Sequence, residues 1–166
     1  RNIPVCKGHA PGKAMSNYER YSRFIVRSVD HIFKNFLNDH SIEEVYEAQS
    51  TEVDRKVAIE IEGTISGELI INLPKKTLGL ITRQMIQNDN PRALRKYYND
   101  VAGELANLIS GTFANQMQFL NHEIRLSPPE VEEDPIALKT FYENINLSFK
   151  SSFGGFDVDL YYKENK

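Results

Sequence analysis

The sequence predicts an α+β fold of two pseudo-repeated halves. Each half is a long helix followed by three strands, and together they form a six-stranded, mostly antiparallel sheet packed by long helices. Three observations lead there. Stretches with apolar residues at helical spacing alternate with stretches in which they occupy every second position. A glycine-containing turn joins the second and third strands of each half, at Gly63–Gly67 and at Phe153–Gly155. The order of one long helix and three strands also occurs twice, with a shorter helix between, although the two halves share negligible identity.

The elements follow in order. Residues 1–14, RNIPVCKGHAPGKA, hold two prolines, two glycines and no apolar period, and read as a flexible tail or tag remnant ahead of a single domain over 15–166. From Asn17 to about Leu37, Tyr21, Phe24, Ile25, Val29, Ile32, Phe33 and Phe36 fall on one helical face, with Ser16 as the cap. EEVYEAQS is a weak strand. KVAIEIEG alternates at Val57, Ile59 and Ile61, and ELIINLP is a strand ending at Pro74. A second helix runs from about Lys75 to Gln87, with Leu78, Leu80, Ile81 and Met85 turned to the sheet. Asn90 caps a third helix with Pro91 at its first position, where a missing N–H costs nothing, and this helix continues to about Leu120. HEIRLSPP is a strand stopped by prolines, EVEEDP an acidic loop, and TFYENINLSFKSS and FDVDLYY are the last two strands.

Composition narrows the function. The chain has 166 residues, of which 40% are hydrophobic and 26% charged, so it suits one globular domain. Net charge is −3, and no run of Lys and Arg is interleaved with aromatics, so nothing resembles a nucleic-acid footprint. The pairs Lys75–Lys76 and Arg95–Lys96 read as solvated helix ends. Cys6 is the single cysteine and cannot form an internal disulfide, which suits a reducing cytoplasm. No apolar run reaches the roughly twenty residues of a membrane span. EVEEDP lacks the spaced ligands and turn glycine of a calcium loop, and Cys6, His9, His31, His40 and His122 do not group as metal ligands.

The third helix carries the chemistry. On a wheel of about 100° per residue with Asp100 at the origin, Glu104 lies near 40°, Asn107 near −20° and Gly111 near 20°. Val101, Leu105, Leu108, Ile109, Thr112 and Phe113 spread over the arc from roughly 80° to 220°, which faces the sheet. Any amphipathic helix has a polar back. Two details set this one apart: Asn is a poor mid-helix residue, and Ala102, Gly103 and Gly111 thin the surface around the stripe as if another backbone came close.

DVAGELANLISG resembles the signature of the CheC/CheX/FliY family of chemotaxis phosphatases, Asp/Ser-x-x-x-Glu-x-x-Asn followed downstream by Pro. Here it reads Asp100, Glu104, Asn107, then Pro128 or Pro129, and IEIEGTISGELIINLP and the terminal FGGFDVDLYY hairpin agree with it. The likeness extends over about residues 17–163. The first helix has no Glu-x-x-Asn, so the chain resembles the CheX branch, with one site per subunit.

The resemblance implies a cytoplasmic phosphatase acting on the phospho-aspartate of a CheY-type response regulator. Asn107 would orient the attacking water and Glu104 would dock the partner through its conserved lysine, with Asp100 and Gly111 as further docking positions. An acyl phosphate is already activated, so the enzyme mainly has to place the water. A carboxamide can do that because it donates and accepts hydrogen bonds without a charge to repel phosphoryl oxygens. The family implies no cofactor or metal on this chain, the Mg2+ belonging to the response regulator, and a homodimer joined through sheet edges. Two other readings stand beside it: a non-catalytic module that binds a receiver domain or flagellar switch protein, and a dimer element in which the stripe is the subunit contact.

Overall fold

A computed structural model describes residues 15–49, 53–132 and 142–165. The stretch 1–14 with Cys6 and His9, and the segment from Glu133 to Phe141, lie outside the described residues. Helix α1 spans Asn17–Asn35 and starts with a reciprocal cap: Ser16 Oγ accepts from Glu19 N–H at 3.2 Å, and the Glu19 carboxylate accepts from Ser16 N–H. Its predicted apolar face is buried from Tyr21 to Phe33, but Phe36 is 53% exposed. Phe36 is the C-cap, where the chain leaves the helix, and Leu37 takes the buried place instead.

Strand β1 (Glu43–Val45) is followed by β2 (Val53–Gly63) and β3 (Ile65–Pro74). The turn between β2 and β3 is tighter than Gly63–Gly67 suggested, since Thr64 alone separates them. Gly63 has φ +142°, a conformation that side chains resist. Helix α2 spans Lys75–Ile86 and buries Leu78 and Ile81 while leaving Leu80 and Met85 half-buried.

The long third helix is in fact two. α3 (Pro91–Arg95) is capped by Asn90, whose Oδ1 accepts from Arg92 N–H at 3.0 Å. The ladder then breaks at Lys96–Tyr97, where Tyr97 N–H bonds back to the Leu94 carbonyl at 2.9 Å, and α4 runs from Tyr98 to Gln118. On either side of the break Leu94 is buried and the Tyr98 hydroxyl lies close over Gly79 of α2. Tertiary contact overrode a continuous helical pattern.

The second half adds β4 (Ile124–Leu126), β5 (Glu130–Glu132), β6 (Glu143–Ser151) and β7 (Gly154–Glu164). The sheet order is β1-β6-β7-β3-β2-β4, with β5 also paired to β2, and all of the described pairs are antiparallel. Among the described residues seven strands therefore replace the expected six. The extra one, β5, comes from the stretch read as an acidic loop: Val131 pairs with Val57 where β4 has left the edge of β2. The two halves exchange edge strands, β1 lying on β6 and β4 on β2, around the central pair β3–β7.

Rows of side chains cross the sheet on the helix side. Ile59, Leu69, Leu160 and Ile145 share one row, and Val57, Ile71, Val158 and Leu147 the next. Each fully buried Ile, Leu or Val stabilises by about 2 kcal/mol relative to exposure. Tyr21 of α1 meets Phe113 of α4 and Tyr162 of β7 edge-on, while Phe156 stacks on Phe33 and Phe149. The opposite face is polar: Lys56 Nζ donates to Asn72 Oδ1, and Asn72 and Asn146 both donate to Asp159 at 2.8 Å. Burial pushes the Asp159 carboxyl up in pKa against those two hydrogen bonds.

Candidate functional site

The site is built on α4. Ala102, Leu105, Ala106 and Leu108 favour a helix, and Val101, Leu105, Ile109 and Phe113 pin it to the core. The buried arc is wider than periodicity predicted, because Ala102, Gly103, Ala106 and Ser110 are buried too. Held on both flanks, α4 is a rigid rod with one narrow open face.

Asp100, Glu104 and Asn107 stand on that face and are exposed, as the wheel predicts. Glu104 and Asn107 are separated by about 4.5 Å of helix rise. Among the described residues none hydrogen-bonds or ion-pairs with either side chain, so both are free to meet a visitor. Asp100 lies in the first turn, where a carboxylate also suits the helix N-terminus. A Cβ on Gly111 would meet nothing within 4 Å, so the surface is open there.

The other small residues behave differently. Gly103 and Ala102 do not thin the exposed surface; both are buried within the chain. Gly103 makes room for Pro129, whose Cγ would lie 3.4 Å from a Cβ at that position. Of the two prolines in the motif, Pro129 is thus placed against α4, one turn before Asn107 on the adjoining side. The small residue serves close packing of the β4–β5 connection, a reason that sequence spacing does not reveal.

The open face is also longer than the motif. Asn115 and Gln118 are exposed on the same side, so the stripe runs from Asp100 to Gln118, about 27 Å of helix. The same wheel arithmetic carried two turns further would have found both. At the other end, Arg55 Nε donates to Asn99 Oδ1 at 2.9 Å and ties the start of α4 to β2.

Metal ligation has no constellation to work with here. Among the described residues no three His, Cys, Asp or Glu side chains are grouped to hold an ion. His31 sits beside Asn35 on α1, and His122 Nδ1 lies 3.3 Å from the Tyr21 hydroxyl. No described helix is long and apolar enough to cross a membrane.

The arrangement can therefore do one kind of thing well. A carboxylate and a carboxamide, one turn apart on a stiff protruding face, can register on another macromolecule and order a water at its surface. Among the described residues they line no enclosed pocket for a small substrate.

The family profile described as Chemotaxis phosphatase CheX matches residues 56–137, a span that contains Glu104, Asn107 and Pro129. No curated protein sequence matches the chain. Among solved structures, the chemotaxis protein CheX from Desulfovibrio desulfuricans superposes with a TM-score of 0.74 at 16% identity, covering 87% of this chain and 99% of that one. CheX from Vibrio vulnificus gives 0.72 at 16%, covering 90% and 100%. CheX from Borrelia burgdorferi, solved as a CheX-CheY-BeF3-Mg2+ complex, gives 0.72 at 16%, covering 87% and 98%. At such identities the superpositions establish the fold, and the profile adds the family: this chain belongs to the CheX chemotaxis phosphatases.

Proposed function

We propose that the chain removes phosphate from the phospho-aspartate of a CheY-type response regulator, with Asn107 orienting the attacking water and Glu104 docking the partner. The observation that carries this reading is the pair itself: Glu104 and Asn107 exposed on one face of α4, neither engaged by another described side chain. The complex of the Borrelia CheX with CheY supports the choice of partner.

In this mechanism Glu104 ion-pairs with the partner's lysine and sets the register, so that Asn107 reaches the phosphoryl group. The Asn107 amide holds one water in line with the phosphorus. The water oxygen bonds to phosphorus, the bond from phosphorus to the aspartyl oxygen breaks, and the carboxylate leaves with the electron pair. The water protons go to the released phosphate and solvent. Mg2+, held by the response regulator, neutralises phosphoryl charge. Asn107 carries no charge, so it does not repel the phosphoryl oxygens as a carboxylate would. Asp100 and Gly111 belong to the docking face, the glycine letting the partner's backbone come close.

The reaction takes place in the cytoplasm, and the chain acts as a homodimer joined through a sheet edge. β1 pairs only with Ser148–Lys150 of β6, so the outer edge of β6 from Glu143 to Leu147 has no strand partner among the described residues. A two-fold contact there would leave α4 accessible. The reading is tested by charging CheY-type receivers with acetyl phosphate and following phosphate loss with and without the chain. Acceleration for one receiver supports it; tight binding without acceleration favours the non-catalytic module instead.

A further inference from the structure

A second surface lies on the far side of α4 from Asn107. Pro74, Leu80, Pro91, Leu94 and Tyr98, from the end of β3, α2, α3 and the start of α4, line an open groove of about 690 Å³. Its floor is mainly apolar and its rim is basic: Lys75, Lys76 and Arg83 border it, against Asp89, which pairs with Arg83 at 2.9 Å. Nearby in sequence, Arg92 and Arg95 of α3 and Lys96 just after it are exposed. Residues 75–96 thus hold six basic side chains and one acidic one in a chain whose net charge is −3.

The helix start adds to it. Lys75 and Lys76 occupy the first two positions of α2, which has no acidic residue in its first turn and no side-chain cap from Pro74. Cations there oppose the helix dipole, a disfavoured arrangement that a bound anion would relieve. Tyr98 lies at about 160° on the α4 wheel and Asn107 at about −20°, so one partner can hold the groove while another holds the stripe.

We infer that this groove docks an acidic peptide segment of a partner protein, one or two large apolar side chains entering the groove and flanking carboxylates meeting Lys75 and Lys76. Nucleic acid fits less well, because Tyr98 is the single aromatic ring among the described lining residues and is half-buried. A membrane fits less well too: the exposed large apolar residues, Tyr18, Phe36, Tyr46 and Phe119, all lie on other elements, so nothing here projects to insert. The inference does not depend on phosphatase activity.

The test uses the whole chain and a short fluorescein-labelled peptide with two leucines one helical turn apart among glutamates. Fluorescence anisotropy should show saturable binding that weakens with salt. The double variant Lys75→Glu with Lys76→Glu should lose about tenfold or more in affinity, as should the peptide with its leucines changed to serine. Both lysines are exposed, and glutamate suits a helix start, so this variant should melt no lower than the parent. Its turnover of a phosphorylated receiver should equal the parent's. No saturable binding, equal binding by the double variant, or equal binding of a lysine-for-glutamate peptide would overturn the inference. So would charge-dependent binding of phosphatidylserine vesicles or duplex DNA in the peptide's place. Loss of turnover together with peptide binding would make the groove part of the catalytic docking face, and the claim of a separate surface would fail.

Discussion

Gly103 of α4 and Pro129, just ahead of β5, pack against each other, with 3.4 Å between the proline Cγ and the position a Cβ would take. That separation is ordinary contact, so Gly103→Ala should fold normally. Gly103→Leu should not be neutral. It would push the β4–β5 connection off α4 at a cost of about 1–3 kcal/mol, the usual range for overpacking. Thermal melting of the two variants checks this, and a leucine variant as stable as the parent would contradict the contact.

Gly111 makes the opposite prediction. Nothing lies near its missing Cβ, so Gly111→Ala should stabilise by about 1 kcal/mol through helix propensity. A bulky residue such as Gly111→Phe should fold equally well and raise the KM for a phosphorylated receiver. An unchanged KM would remove Gly111 from the docking face.

Glu104→Ala should act on docking rather than on chemistry. Losing one member of an interfacial charge pair costs about 3 kcal/mol, or two orders of magnitude in kcat/KM, seen mainly as raised KM. Activity should partly return with a receiver whose lysine has been neutralised. A fall confined to kcat would contradict the role given to Glu104.

Alkaline stability reports the core. Burial, with Glu164 and Tyr162 nearby, pushes Tyr21 up to about 12; burial, with Glu143 and Glu164, does the same for Tyr162. A tyrosine whose pKa is higher folded than unfolded stabilises fully below about pH 10, and that stability is lost as pH rises through about 12. Denaturant midpoints should therefore fall across that window. Followed by ultraviolet absorbance, the Tyr21 and Tyr162 phenols should ionise later in the folded protein than after unfolding.

Much of this was legible in the sequence, and the misses share a cause. Strong periodicity showed α1, β2, β3 and the outward stripe of Asp100, Glu104 and Asn107, because each is decided by its own residues. β5 was hidden because Glu130–Glu132 is too short to show alternation and exists only by pairing with β2. The break at Lys96–Tyr97 was hidden because both residues stay right-handed and only the packing of Leu94 and Tyr98 marks it. Gly103 was misplaced because spacing does not tell an open surface from one filled by Pro129. The basic groove was missed because Lys75 and Arg83 meet Pro91 and Leu94 only once α2 and α3 have folded together.

Single-turnover dephosphorylation of a charged CheY-type receiver by Asn107→Ala tests the central claim most directly. With no described contact to lose, the variant should keep the parent's melting temperature and receiver affinity while its rate falls by about two to three orders of magnitude, the range seen when one preorganised catalytic hydrogen bond is removed. A folded Asn107→Ala protein that clears the phosphoryl group at the parent rate would show that the water is placed by something else.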